Sequence, residues 1–207
     1  MERMGRIALV YHMGATWGMR ISVMLAVGLT GACAAVETVT PADVFWERLS
    51  ALCGVAASGA VIEAPADDTT FANRPLVMHV RQCEDSVIRI PFHVGENRSR
   101  TWVLSRTADG GVRLKHDHRH EDGAEDSVTQ YGGDARAPLD SARAEFPADS
   151  FTVSLIPAAA TNVWTIEVEP RRRFVYALRR EGTDRRFRIE FDLTQSLPAP
   201  PPPWGSQ

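Results

Sequence analysis

Residues 163–193 read VWTIEVEPRRRFVYALRREGTDRRFRIEFDL, and the fold is decided here. Successive side chains of a strand point to opposite faces, so a period of two marks a strand with one buried face. Trp164, Ile166 and Val168 alternate with Thr165, Glu167 and Glu169. Phe174, Tyr176 and Leu178 share a face, with Arg173 and Arg179 across from them. Phe187, Ile189, Phe191 and Leu193 alternate with Arg186, Arg188, Glu190 and Asp192. One apolar face and one charged face is the antiparallel pattern. The links EPRR and REGTD are short enough for hairpins.

The same period extends back through GAVIEA, PLVMHVRQC, SVIRIPFHV, TWVLSRT, GVRLKHDHRH, SVTQYGG and the region of SFTVSLI, with TADGG as a hairpin turn. No second helix pattern interrupts them, which argues against parallel βαβ units. About eight to ten short strands joined by turns predict a mainly β domain. Its expected form is a single antiparallel up-and-down β-barrel or a strongly bent sandwich, similar to lipocalin-like folds. One N-terminal α-helix is expected to pack on it. Thr40-Pro41-Ala42-Asp43 forms a capping box with proline at the first helical position. Phe45, Trp46, Leu49, Leu52 and Cys53 then make an amphipathic stripe that stops at Gly54.

The chain of 207 residues has room for one domain with ends. Residues 1–34 read as a secretory signal peptide with an upstream extension. Met19 offers the most compact start, Ile21 to Leu29 is apolar, and Ala32 and Ala34 give an A-x-A cleavage pattern. The apolar run is too short to span a bilayer. A second reading takes LTGAC as a lipobox, with Cys33 lipidated and the protein tethered. Both readings export the chain to the periplasm or beyond, with or without attachment to the cell envelope. Residues 35–57 then hold the helix, 58–194 the barrel, and 195–207 a proline-rich disordered tail ending in LPAPPPPWGSQ. With Cys33 accounted for, Cys53 and Cys83 are left to pair in an oxidising compartment.

A formal net charge of −3 provides no global field for nucleic acid. Lys115 is the only lysine. Arg171, Arg172, Arg173, Arg179, Arg180, Arg185, Arg186 and Arg188 cluster on the C-terminal hairpins, where they read first as protection of an exposed sheet edge and second as an external basic strip that could meet anionic lipid or polysaccharide. No G-x-S-x-G, H-E-x-x-H, P-loop or Rossmann glycine pattern is present, so the reading leans away from an enzyme.

Chemistry concentrates in LKHDHRHEDG, residues 114–123. Read as a strand, Val112, Leu114, His116, His118 and His120 share the inward face, and Asp117 points away. Alternating histidines suit a transition metal, because imidazole binds zinc, copper, iron or nickel. Three of them span about 13 Å along a strand, so a third ligand would have to come from elsewhere. His79, His93, Tyr131 and Glu121 are the candidates. A hydrogen-bonded polar strand end and an acid–base role are the other readings. Trp102, Trp164, Phe174, Tyr176, Phe187 and Phe191 are expected to line an interior that takes a small ligand or envelope component.

The segments FWERLSALCG, LVMHVRQC, IRIPFHVGENRSRTWV, VRLKHDHRHEDG, YGGD, EFPAD and TNVWTIEVEP, continued by FVYALRR and FRIEFDL, resemble a family of uncharacterised secreted bacterial proteins. They span most of the region from Phe45 to Leu193. The resemblance implies export and a single domain, and implies no catalytic residues. The expectation is therefore an exported, non-enzymatic ligand-binding barrel. The alternatives are a metal protein using the His116/His118/His120 strand and a structural envelope lipoprotein. Oligomeric state has no signature in the sequence.

Overall fold

The structure, a computed structural model, describes residues 38–206 together with Gly14. The signal segment and Cys33 lie outside the described residues. Among the described residues no helix is long and apolar enough to cross a membrane.

Helix α1 spans Pro41–Ser50 and starts at the capping box read from the sequence. The Asp43 N–H donates to Thr40 Oγ1 at 3.2 Å, and the Thr40 N–H donates back to Asp43 Oδ2 at 2.9 Å. The helix ends at Ser50, four residues before Gly54, because the chain tightens into turns there. Gly54 adopts φ +83° and donates its N–H to Val80 O, a conformation only glycine takes without strain.

The strands are β1 Ala56–Glu63, β2 Leu76–His79, β3 Gln82–Cys83, β4 Val87–Val94, β5 Asn97–Arg106, β6 Val112–His118 and β7 Tyr131–Asp134. After them come β8 Arg143–Pro147, helix α2 Ser150–Leu155, a short 3₁₀ turn Pro157–Ala159, β9 Asn162–Glu169, β10 Arg173–Arg180 and β11 Arg186–Asp192. All pairings are antiparallel, and the order is β7-β6-β5-β4-β2-β1-β11-β10-β9-β8, with β3 attached to β4. This is an up-and-down meander curled into a nearly closed ten-strand barrel. The first and last strands pair with each other, so the seam falls between β7 and β8.

Two backbone hydrogen bonds hold that seam, Arg136 N–H to Glu145 O at 2.7 Å and Asp149 N–H to Gly132 O at 2.9 Å. The approach is so close that a Cβ on Gly133 would sit 1.9 Å from Pro147 O. Thr152 of α2 locks the seam from its buried hydroxyl, which accepts from the Gly132 N–H at 2.7 Å.

Helix α2 corrects the strand expected at SFTVSLI. Phe151 and Val153 alternate like a strand, but they are exposed, 50% and 36%. The local chemistry decides instead. Asp149 accepts from the Thr152 N–H at 2.8 Å as an N-cap, and Lys115 Nζ holds the same carboxylate at 2.5 Å.

The interior is filled by rings rather than left open. Trp102 stacks on Phe92 at 4.8 Å, on Tyr176 at 4.5 Å and on Phe174 at 5.9 Å. Phe191 meets Phe92, Trp102 and Phe174 at 5.8–6.0 Å, on ring edges. Gly59 of β1 leaves the space for Phe191, since a Cβ there would lie 2.6 Å from the ring. Phe45 and Leu49 of α1 join the same core. Asp43 pairs with Arg106 at the end of β5, and Arg106 lies over the Trp46 ring. The helix thus sits against the end of the barrel where β5 turns into β6.

Two further expectations need correction. The tail at 195–206 is not a loose end. Leu197 N–H donates to Ala56 O, Arg98 Nη1 to Pro202 O and Trp204 N–H to Arg98 O, so the prolines run extended along the outside of the barrel. Nor do the C-terminal arginines form a basic strip. Strand register places glutamates between them: Arg188 pairs with Glu167 and Glu190, Arg173 with Glu169 and Glu190, and Arg179 with Glu145 and Glu181. The outer wall is a network of alternating charge.

Cys53 and Cys83 form the expected disulfide, tying the end of α1 to β3 across 30 residues of sequence. Replacing both by serine should lower stability by about 3–4 kcal/mol in urea unfolding, from the loop entropy released. Gly133→Ala should cost about 2–3 kcal/mol through overpacking at the seam. A loss below about 0.5 kcal/mol would mean that β7 and β8 do not close.

Candidate functional site

At the end opposite α1, the barrel wall turns polar. On β6 the inward positions run Val112, Leu114, His116, His118, and the first three are buried. Register sets their neighbours. Trp102 stands opposite His116 and Arg100 opposite His118 on β5, while Tyr131 stands opposite His116 on β7. Tyr176 reaches in from β10 across the barrel. Phe71, in the loop between β1 and β2, lies over the opening against Phe187 at 4.7 Å and Phe92 at 5.8 Å.

The hydrogen bonds assign the protons. His116 Nδ1 donates to Tyr131 O at 3.0 Å, so its Nε2 is an acceptor and takes the Tyr176 hydroxyl proton at 2.9 Å. His118 Nε2 and the Tyr131 hydroxyl are 3.0 Å apart. The His116 ring also stacks on Tyr131 at 4.5 Å. Burial pushes the His116 pKa down to about 3 and that of His118 to about 4, the latter helped by the Arg100 charge. Burial likewise raises Tyr131 to about 12 and Tyr176 well above its ordinary value. At neutral pH both histidines are therefore neutral and both tyrosines protonated.

The histidine run does not gather as a metal motif would. His116 has both ring nitrogens engaged. His120 lies beyond the strand end and is exposed, and Glu121 is exposed in the following turn. His79 and His93 are neighbours on β2 and β4, and neither lines the mouth. Tyr131 is the one candidate partner that joins His116 and His118. Among the described residues no three His, Cys, Asp or Glu side chains stand where one ion could be held. Asp117 points away, toward Arg119 at 3.1 Å, as the strand alternation requires.

Two spaces open here. An inner chamber of about 50 Å³ is walled by Arg100, Trp102, His116, His118, Tyr131 and Tyr176 under Phe71. An outer cleft of about 310 Å³ runs between Phe71, Tyr131, Trp164, Tyr176, Leu178 and Phe187, with Asp68, Asn162, Arg180 and Arg185 at its rim. Phe71, Tyr131 and Tyr176 belong to both. Of the aromatic residues expected to line a cavity, Trp102, Trp164, Tyr176 and Phe187 do so, whereas Phe174 and Phe191 lie deeper in the packed core. Sequence reasoning missed Phe71 and Arg100. Phe71 has no periodic pattern around it, but Arg100 shares its parity with Trp102 and Leu104 and was findable on that ground.

No family model, no curated protein and no solved structure matches the chain, so the reading of this site rests on its own chemistry.

The depressed histidines give a sign for pH dependence. Between about pH 6.5 and pH 4 the unfolded chain binds protons that the native His116 and His118 refuse, so stability falls with acid. From pH 7 to pH 5, His116 alone should cost about 2 kcal/mol. Urea unfolding at the two pH values checks this, and His116→Gln should reduce the difference by about 2 kcal/mol, leaving the part that His118 contributes. A stability that rises on acidification would contradict neutral buried histidines.

Proposed function

We propose that this protein is an exported, non-enzymatic β-barrel whose mouth binds a small, largely apolar molecule. The observation that carries the reading is the outer cleft. The rest of the barrel is packed with rings, yet about 310 Å³ stays open between Phe71, Trp164, Leu178 and Phe187. A concave space of this size, walled by five aromatic rings and aliphatic side chains with a few convergent polar groups, is the usual form of a small-molecule site. The tyrosine hydroxyls and neutral histidines bond each other across the mouth. They shape the chamber and are not poised to exchange protons at neutral pH. Export is supported by the signal-like segment and by a disulfide, which persists in oxidising compartments.

The test uses the neutral fluorophore N-phenyl-1-naphthylamine. Saturable binding near one equivalent is expected, with quenching of tryptophan emission as Trp164 meets the probe. Leu178→Trp should fill the cleft and weaken binding at least about tenfold, because one large side chain removes much of the available surface. Its folding should be little changed, since Leu178 is only half-buried. Failure of the probe to saturate, or binding indifferent to Leu178→Trp, would remove this reading.

A further inference from the structure

Arg100 is a half-buried cation on the inner side of the barrel mouth, and no carboxylate pairs with it among the described residues. The contrast with the outer wall is direct, since Arg173, Arg179 and Arg188 all sit in glutamate networks. Its protein hydrogen bonds come from Nη1 alone, to Asn97 Oδ1 at 2.9 Å and Ser99 Oγ at 3.3 Å. Nε and Nη2 have no partner among the described residues, and together they form the edge of a guanidinium that grips a carboxylate with two parallel bonds. Phe71 lies 5.8 Å from the guanidinium carbon, face toward it, which offsets part of the cost of a desolvated charge. The surrounding tyrosines and histidines are neutral, and Asp117 is turned outward to Arg119. Asp126, in the turn beyond β6, makes no ion pair with Arg100. At the cleft rim Asp68 spends its carboxylate on the N–H groups of Thr70 and Phe71, while Arg180 and Arg185 have no ion pair among the described residues. The mouth thus carries positive charge without matching carboxylates, and Arg100 is the part of it inside the chamber.

We propose that the ligand is an organic carboxylate, its head group held on the Nε–Nη2 edge of Arg100 in the inner chamber. Its apolar body lies in the cleft between Phe71, Trp164, Leu178 and Phe187. This rests on the ligand-binding reading and names the class of molecule bound. The inner chamber, about 50 Å³, has room for a head group and little more, so the body must occupy the larger space that shares its walls.

The experiment compares decanoate with decan-1-ol, two chains of equal length that differ in the charge of the head. Binding is read by isothermal titration and by displacement of N-phenyl-1-naphthylamine at pH 8. Decanoate should bind the wild type about tenfold or more tightly than the alcohol, as charge-assisted hydrogen bonds require. Arg100→Gln should cost decanoate about tenfold to a hundredfold and leave decan-1-ol within about twofold. Arg100→Lys, which keeps the charge and loses the fork, should fall between. Equal affinity of the wild type for both chains overturns the carboxylate assignment, needs no variant, and leaves the ligand-binding reading standing. A preference for decanoate that survives Arg100→Gln also overturns it, moving the head group to Arg180 and Arg185. If neither chain nor the fluorophore binds, both readings fall together.

Discussion

A barrel abolishes its sheet edges only where its last two strands meet, and here that meeting depends on the absence of one side chain. Gly133 brings the β7 backbone against Pro147 and Asp149, closer than a Cβ would allow, while its neighbour Gly132 makes an equally close approach to Leu114 on β6. Thr152 then bonds both to Gly132 and to the Asp149 cap, so the short helix after β8 and the seam form one unit. The consequence reaches the mouth. Tyr131 precedes Gly132 directly, and the β6–β7 register lays its ring flat on His116 with its hydroxyl beside His118.

Closure also fixes where empty space can be. Ten short strands enclose a narrow interior, and Phe92, Trp102, Phe174, Phe191 and Tyr176 are large enough to fill it. Helix α1 covers one end with Phe45 and Leu49, and its attachment is doubled by the Asp43–Arg106 pair and the disulfide. The other end carries Phe71 on a loop, with Ile156 and Ala159 of the turn after α2 on the cleft wall. The packing therefore grades from dry and tight at α1 to polar and open at the mouth. That gradient is visible along a single strand, from Val112 to His118.

Much of this was legible because period two is a local property. Trp164, Tyr176 and Phe187 declare an inward face from their immediate neighbours, and the capping box and the cysteine pair are equally local. The features that were not legible depend on register between distant strands. The arginines of β10 and β11 read as a basic strip because Glu145, Glu167 and Glu190 become their neighbours only after pairing. The alternation in SFTVSLI is genuine, yet Asp149 and Lys115, 34 residues apart, convert it to a helix. The tail has no period at all, and its path follows from carbonyls and N–H groups of β1 and β5 that an edge-free barrel still offers on its outside. Arg100 is the instructive case: its inward parity with Trp102 was in the sequence, whereas its lack of a counter-charge required every neighbour to be placed.

The histidine run shows how packing redirects a motif. Alternating histidines are chemically able to hold a metal or move protons, and both abilities need a free nitrogen lone pair with an ordinary basicity. Burial takes the basicity from His116 and His118, and the Tyr131 carbonyl and two hydroxyls occupy the nitrogens that face inward. The Tyr176 proton is then committed as well, to Nε2 of His116. Once those groups satisfy each other, the strongest unspent interaction at the mouth is the open edge of Arg100. A wall whose acids and bases cancel internally, beside the inward-facing guanidinium of Arg100 whose charge does not, is suited to orient and hold an anion and poorly suited to transform it.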